Sequence, residues 1–339
     1  MKFDYAIFNP PYQQTNELNS RAKPLYNLFM DEAQKVSNRV EVIHPARFLF
    51  NAGQTPKKWN EKMLNDEHFK VLRYEPKGSN IFPNTDIKGG IAITYRDSAK
   101  NFGAIKQFTA YNELNSILHK VLSHNPVRYL NSIISNRGMY RFSDKFFEDN
   151  PELKASIKSG TGNMITSKTF DAMPNAFDDK KIEGSIGLFG REKGKRTLKY
   201  IDKDYIITND FIDKFNVFVT EGNGSGAFGE ALSTPIIGEP HIGHTDTFLS
   251  IGQFDNLNEA ENTLKYIKTK FARTMLGVLK ITQHNPSSTW KYVPIQDFTT
   301  NSDIDWSKSI PEIDQQLYRK YGLSEEEINF IETNVKEMN

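Results

Sequence analysis

A chain of 339 residues is long enough for two domains with separate cores, since a single core stops growing below about 250 to 300 residues. With 37% hydrophobic, 12% aromatic and 25% charged residues of both signs, it reads as an ordinary folded protein rather than a disordered one. The 43 Lys plus Arg against 42 Asp plus Glu leave a formal charge of +1, so any nucleic-acid surface must come from local clustering, and the lack of cysteine excludes a disulfide framework and thiolate chemistry.

The start, Met1-Lys2-Phe3-Asp4, has neither a signal-peptide apolar region nor a transit-peptide pattern, and nowhere is there an uncharged apolar run of about 18 residues, so a cytoplasmic location is expected. Over the first hundred residues strand-like and helix-like segments alternate. Tyr5-Ala6-Ile7-Phe8 is a strand, Pro24 to Lys35 a helix and Val40-Glu41-Val42-Ile43 a second strand. A helix from Pro56 to Asp66 follows, then strands at Phe69 to Tyr74 and Gly90 to Tyr95. Strands separated by helices imply a mostly parallel α/β sheet that binds ligands at the carboxyl ends of its strands, where Asn9-Pro10-Pro11-Tyr12 sits. A helical stretch from Asp97 to Leu130 has one apolar face and reads as a connector at the domain boundary. Residues 131–300 are richer in Gly, Ser, Thr and Asn, with short β-like runs at Tyr205 to Ile207 and Phe215 to Val219. One long helix is expected there, from Asn258 to about Ile281, carrying core positions at Leu264, Ile267, Phe271, Met275 and Leu279. The last helix runs from Ser324 to Met338, with Ser324 as cap and Glu327 three residues on.

The residues after the first strand carry chemistry. An exocyclic adenine amine is a poor nucleophile because its lone pair is delocalised into the ring, and acceptors aimed at its hydrogens draw the nitrogen toward tetrahedral geometry. In Asn-Pro-Pro-Tyr the Asn side-chain oxygen and the first Pro carbonyl can both accept, the prolines stiffen the loop, and Tyr12 offers a π face to a base extruded from the duplex. A strand ended by Asn-Pro-Pro also reads as a plain turn, since both residue types punctuate chains.

Beyond Asp4-Tyr5-Ala6-Ile7-Phe8-Asn9-Pro10-Pro11-Tyr12, several pieces recur in a known order. They are Pro24-Leu25-Tyr26 with Phe29, Ile43-His44-Pro45-Ala46-Arg47-Phe48-Leu49, and Ile81-Phe82-Pro83 leading into Asp86-Ile87-Lys88-Gly89-Gly90. Farther on come Lys268-Thr269-Lys270-Phe271, Ile281-Thr282-Gln283 and Leu317-Tyr318-Arg319-Lys320-Tyr321-Gly322-Leu323. In these the chain resembles the adenine-N6 DNA methyltransferases of bacterial restriction-modification systems, from the Asn-Pro-Pro-Tyr motif onward. The resemblance implies that Asn9 and Pro10 accept from the adenine amine, that Pro11 stiffens the loop, that Tyr12 stacks on the flipped base and that Phe82 packs its other side. Phe82 also reads as a core aromatic beside a sheet.

The resemblance further implies S-adenosylmethionine as methyl donor and double-stranded DNA as partner. It implies the C-terminal half of a Rossmann-like methyltransferase sheet over residues 1–110, a helical connector over 111–130, an α+β target-recognition domain over 131–305 and a helical segment over 306–339. In this family the cofactor motifs usually precede Asn-Pro-Pro-Tyr, and only eight residues precede Asn9, so most of the cofactor pocket is expected to lie elsewhere. Hence the alternative of a non-catalytic recognition module, or one half of a split enzyme whose cofactor-binding half is a separate chain. Glu221-Gly222-Asn223-Gly224-Ser225-Gly226-Ala227-Phe228-Gly229 has the look of a displaced cofactor turn, but Pro235 and Gly238 interrupt any helix after it, and a flexible loop near DNA is the preferred reading.

The densest basic cluster is Arg191, Lys193, Lys195 and Arg196, with Lys199, and reads as a set of phosphate contacts or as a solvated charged turn. Lys57 and Lys58 beside Trp59 fit DNA contact and a helix with a buried aromatic equally well. His241-Ile242-Gly243-His244 with Asp246 matches no standard metal spacing and reads as turn residues. Asp178-Asp179-Lys180-Lys181, the nearest approach to a nuclease carboxylate cluster, reads as a solvated loop, and no metal is expected.

Overall fold

A computed structural model describes residues 3–14, 23–51, 54–83, 87, 89–126, 128–157, 160–207, 209–224, 226–280 and 282–338. Asp86, Lys88, Ser225 and Ile281, named above, lie outside the described residues, as do Met1 and Lys2. The chain is mixed α/β with several small sheets and divides into two units, residues 1–119 and 120–339. No described helix is long and apolar enough to cross a membrane.

The first unit contains β1 (Phe3–Phe8), α1 (Tyr26–Val36), β2 (Ser37–Pro45), α2 (Lys57–Leu64), β3 (Phe69–Glu75) and β4 (Ile91–Asp97), and α3 (Asn112–Ser123) runs across the division. Its described sheet has the order β1-β2-β4-β3. β1 pairs with β2 in parallel, but β4 is inserted antiparallel to both β2 and β3. This corrects the mostly parallel pairing expected from the sequence. Between β3 and β4 the described residues form only a short 3-10 turn, and a return without a crossover helix can place the next strand only antiparallel. One sheet face is covered by Tyr26 and Met30 of α1, Trp59, Met63 and Leu64 of α2, and Phe48 and Leu49 of the 3-10 turn after β2; all are buried around Val42, Phe69 and Ala92. The helical stretch expected over 97–130 reduces to α3, with residues 98–111 irregular.

The second unit contains β5 (Arg141–Phe142), α4 (Asp144–Asp149), α5 (Thr169–Ala172), β6 (Ser185–Glu192), β7 (Lys195–Asp202), β8 (Ile206–Ile207), β9 (Phe215–Thr220), β10 (Ile236–Gly238), β11 (Ile242–His244) and β12 (Phe248–Phe254). Four helices end it: α6 (Leu257–Lys268), α7 (Lys270–Leu276), α8 (Ile310–Lys320) and α9 (Glu325–Asn334). Its described strands form β11-β6-β7, β10-β9-β12 and a β5-β8 pair. The single helix expected from Asn258 to Ile281 is broken. Thr269 leaves helical geometry and caps α7 by accepting from Ala272 N, while the buried Asp314 of α8 accepts from the freed Lys270 and Phe271 amides at 2.9 and 2.8 Å. Ser324 and Glu327 form the expected capping box at α9.

Candidate base-binding site and nucleic-acid interface

Asn9 follows the last residue of β1, so the loop leaves the carboxyl end of an edge strand. Asn9 is exposed and Pro10 buried. The loop is then tied down: Leu25 N donates to Tyr12 O at 3.1 Å and Gln14 N to Lys23 O at 2.9 Å, so residues 12–14 run beside the approach to α1. The Tyr12 ring meets Phe82 at 6.4 Å between centroids and 64° between planes, an edge-to-face contact. Phe82 comes from the turn after β3, where Phe82 N donates to Gly78 O at 2.9 Å and Glu75 Oε1 accepts from Lys77 N and Asn80 Nδ2 at 3.1 and 3.0 Å. Gly78 lets that turn close, because a Cβ there would stand 3.1 Å from Ile87 Cβ. The structure therefore brings Tyr12 and Phe82, seventy positions apart, to one place beside Asn9 and Pro10.

The Tyr12 hydroxyl is buried with no hydrogen-bond partner among the described residues, and burial pushes its pKa up to about 12, so it stays a neutral phenol. The other pieces that carry the resemblance in this unit build the core. Tyr26 stacks on His44 at 5.6 Å and 5°, and Phe48 meets His44 and Trp59 at 5.2 and 4.9 Å. Trp59 also donates from its ring nitrogen to Asp31 at 3.1 Å, which places Lys57 and Lys58 at the start of a helix anchored by its aromatic.

In the second unit, Arg191, Lys193, Lys195 and Arg196 lie at the end of the β6-β7 hairpin, whose turn Lys193-Gly194 has positive φ at both positions. The sequence offers phosphate contacts or a charged turn here and does not show the two strands, although Gly194 between two alternating runs was the available signal. Arg191, Lys193 and Lys195 are exposed. Arg191 and Arg196 face each other across the strands, an unfavourable pairing of like charge, and neither forms an ion pair among the described residues. Arg196 is half-buried over the Phe248 ring, donates to Thr234 O at 2.8 Å and has its pKa lowered, first by burial and then by Arg191. Lys199 is buried and bound to Asp179 and Glu192 at 2.6 and 2.9 Å, so it belongs to the scaffold, as does the loop that supplies Asp179.

The glycine-rich loop leads into β10 rather than a helix, and two of its glycines are packed against backbone: a Cβ on Gly226 would stand 2.4 Å from Thr282 Cα and one on Gly229 2.0 Å from Asn334 O. Lys280 Nζ donates to Asn223 O at 2.9 Å and Thr282 O at 3.2 Å, clamping the loop from below. The His241 to Asp246 segment is structural too. His244 is buried, with Nδ1 2.9 Å from Thr245 O and Nε2 2.9 Å from Ser250 Oγ, and burial lowers its pKa to about 4. Among the described residues no group of acidic or histidine side chains could hold a metal ion.

Residues 1–82 match the family described as Eco57I restriction-modification methylase. A Mycoplasma pneumoniae protein described as an uncharacterized adenine-specific methylase is 30% identical over 95 residues, which is 27% of this chain and 22% of that protein. Two solved structures align over most of the chain at 9% identity. The type IIG restriction endonuclease BpuSI is covered over 50% of its length at a TM-score of 0.30, and the type IIL restriction-modification enzyme MmeI, solved with DNA, over 56% at 0.33. The chain thus spans about a fifth of the curated relative's length and about half of each solved chain.

Proposed function

We propose that this chain is the base-binding and target-recognition part of a restriction-modification DNA adenine-N6 methyltransferase. The observation that carries the reading is the Tyr12–Phe82 ring pair, 6.4 Å apart, beside Asn9 and Pro10 at the carboxyl end of β1. The matched residues 1–82 span all four of these positions, and the adenine-specific methylase relative supports the same chemistry. In this reading a flipped adenine enters between the two rings, and one of them turns, because an edge-to-face pair leaves no slot. The Asn9 side-chain oxygen and Pro10 carbonyl then accept from the amine, polarising it for methyl transfer. The first unit is read as the C-terminal half of a Rossmann-like sheet, and the basic end of the β6-β7 hairpin as a set of phosphate contacts to duplex DNA, where Arg191 and Arg196 gain the anion they lack among the described residues.

S-adenosylmethionine is the methyl donor in this reading, but the residues at hand do not fit a cofactor cradle: the glycine-rich turn of residues 222–229 leads into a strand, with Gly226 and Gly229 closed off by the chain's own backbone. A second reading follows, in which the chain is a recognition half completed by a separate cofactor-binding chain. The edge strand β1 favours it, with Phe3 63%, Tyr5 44% and Ile7 71% exposed. Calorimetric titration with S-adenosylmethionine separates the two. Heat of binding with later methylation of duplex DNA supports a self-sufficient enzyme; a folded chain that takes no cofactor until a second chain is added supports the half. In either form Asn9→Ala is expected to abolish methylation while leaving DNA binding in place, and loss of both together would refute the assignment.

A further inference from the structure

The second unit holds a cleft of about 990 Å³ that no motif pointed to. Its walls are the segment 128–139, the start of β5, the turn at 209–211, the end of β12 and the segment 295–298. They are fixed by backbone pairing: Leu130 N donates to Val293 O at 2.8 Å, Ile295 N to Arg128 O at 3.1 Å and Ser135 N to Ser250 O at 2.9 Å. A kink at Gly252, φ 77°, turns Gln253 outward while Phe254 stays buried.

What distinguishes the cleft is its store of unused donors. The side chains of Arg128, Asn136 and Gln253 make no hydrogen bond among the described residues. Asn209 accepts from Phe211 N at 3.0 Å through Oδ1, but its Nδ2 is buried without an acceptor. Arg137 pairs with Asp246 at 2.8 Å yet remains half-exposed, and Arg141 spends Nη1 on the Thr161 and Gly162 carbonyls, leaving further guanidinium donors. The lining sets three arginines against two carboxylates, Glu259, which accepts from Asn256 Nδ2 at 2.7 Å, and Asp297, which accepts from Thr299 N at 2.8 Å. That excess of cation, with the unused amide donors, suits a ligand that is anionic and rich in acceptors.

We infer that this cleft receives a DNA strand, with Arg128, Arg137 and Arg141 on phosphates and the exposed Asn136 and Gln253 on base edges. The inference rests on the DNA-handling reading above and assigns recognition to a second place, apart from the β6-β7 hairpin. The test is fluorescence anisotropy of the full chain with a short fluorescein-labelled DNA duplex of mixed sequence over a series of KCl concentrations. Arg128→Ala is expected to bind about tenfold more weakly and to lower the slope of log affinity against log salt by about 0.9, with unchanged thermal stability. Hydrogen exchange on the unaltered chain supplies a readout that needs no variant: DNA should protect the amides of residues 128–139 and 252–254. If the unaltered chain binds DNA but Arg128→Ala binds equally well and those amides stay unprotected, the cleft is wrong while the DNA reading stands. Failure of the unaltered chain to bind DNA at low salt overturns both, and preference for an RNA duplex over DNA of the same sequence overturns the assignment of ligand.

Discussion

His44 Nε2 lies 2.9 Å from Thr94 Oγ1, and its Nδ1 lies 3.0 Å from the carbonyl of the next residue, Pro45. A carbonyl can only accept, so Nδ1 carries the proton and Nε2 takes the threonine hydroxyl's. His244 repeats the arrangement in the second unit, with Thr245 O and Ser250 Oγ in the two roles. Both rings are buried, and burial lowers both pKa values to about 4.

A histidine whose folded pKa is depressed favours folding above its unfolded value, about 6.5, and loses that contribution as pH falls toward 4. The full loss is on the order of 3 kcal/mol for each histidine. Tm is therefore expected to be level above about pH 7 and to fall steeply below about pH 6.5. The pair His44→Gln and His244→Gln should flatten that fall even where it lowers Tm at neutral pH. A melting profile that stays level down to about pH 4.5 would contradict the assignment. Thr94→Val, which strips Nε2 of its donor, should cost about 1–3 kcal/mol at neutral pH.

The strand and loop that hold Asn9 to Tyr12 were legible because they are local: a strand, Asn-Pro-Pro and an aromatic are contiguous in the chain. The helices α1 and α2 were legible for the same reason, since each shows one apolar face. The antiparallel insertion of β4 was not, because strand direction depends on the connection and not on the strand's own residues. The break at Thr269 was hidden too. Apolar periodicity runs straight through it, and the buried partner that rewards the break, Asp314, lies more than forty positions downstream. Least visible was the cleft, whose donors come from four separate segments and share no spacing.

The neutral Tyr12 hydroxyl has no partner among the described residues, so the proposed base-binding role rests on the ring rather than the oxygen. Tyr12→Phe is expected to retain methyl transfer and to leave stability level or raise it by about 1 kcal/mol. Tyr12→Ala and Phe82→Ala should each lose about 1–3 kcal/mol of base stacking, seen as a fall in kcat/KM on duplex DNA. An inactive but stable Tyr12→Phe would mean that the hydroxyl takes part.

The glycines of residues 222–229 separate a packed loop from a ligand cradle. Gly226 and Gly229 have φ of 94° and 76°, and a methyl group on either would press on backbone that cannot swing aside. Gly226→Ala and Gly229→Ala should each cost about 2 kcal/mol or more in denaturant melts. Gly222→Ala meets nothing within 4 Å and should stay within about 0.5 kcal/mol of the parent. Normal stability in the first two, with loss of S-adenosylmethionine binding, would restore the loop as a cofactor turn.

The edge of the first sheet bears on whether the chain acts alone. β1 pairs only with β2 among the described residues, and Phe3, Tyr5 and Ile7 project from one of its faces, where every second residue of a strand must point. An exposed apolar row beside unpaired backbone groups is a template for another strand. The chain by itself should therefore associate, its weight-average mass in light scattering rising with concentration. Ile7→Lys places a charge in the middle of that row, as natural edge strands do to block pairing, and should return the chain toward a monomer. Because Ile7 is 71% exposed, the change should move stability by no more than about 0.5 kcal/mol. A chain that is monomeric at every concentration without the substitution would remove the main support for a completing partner and leave the self-sufficient enzyme as the surviving reading.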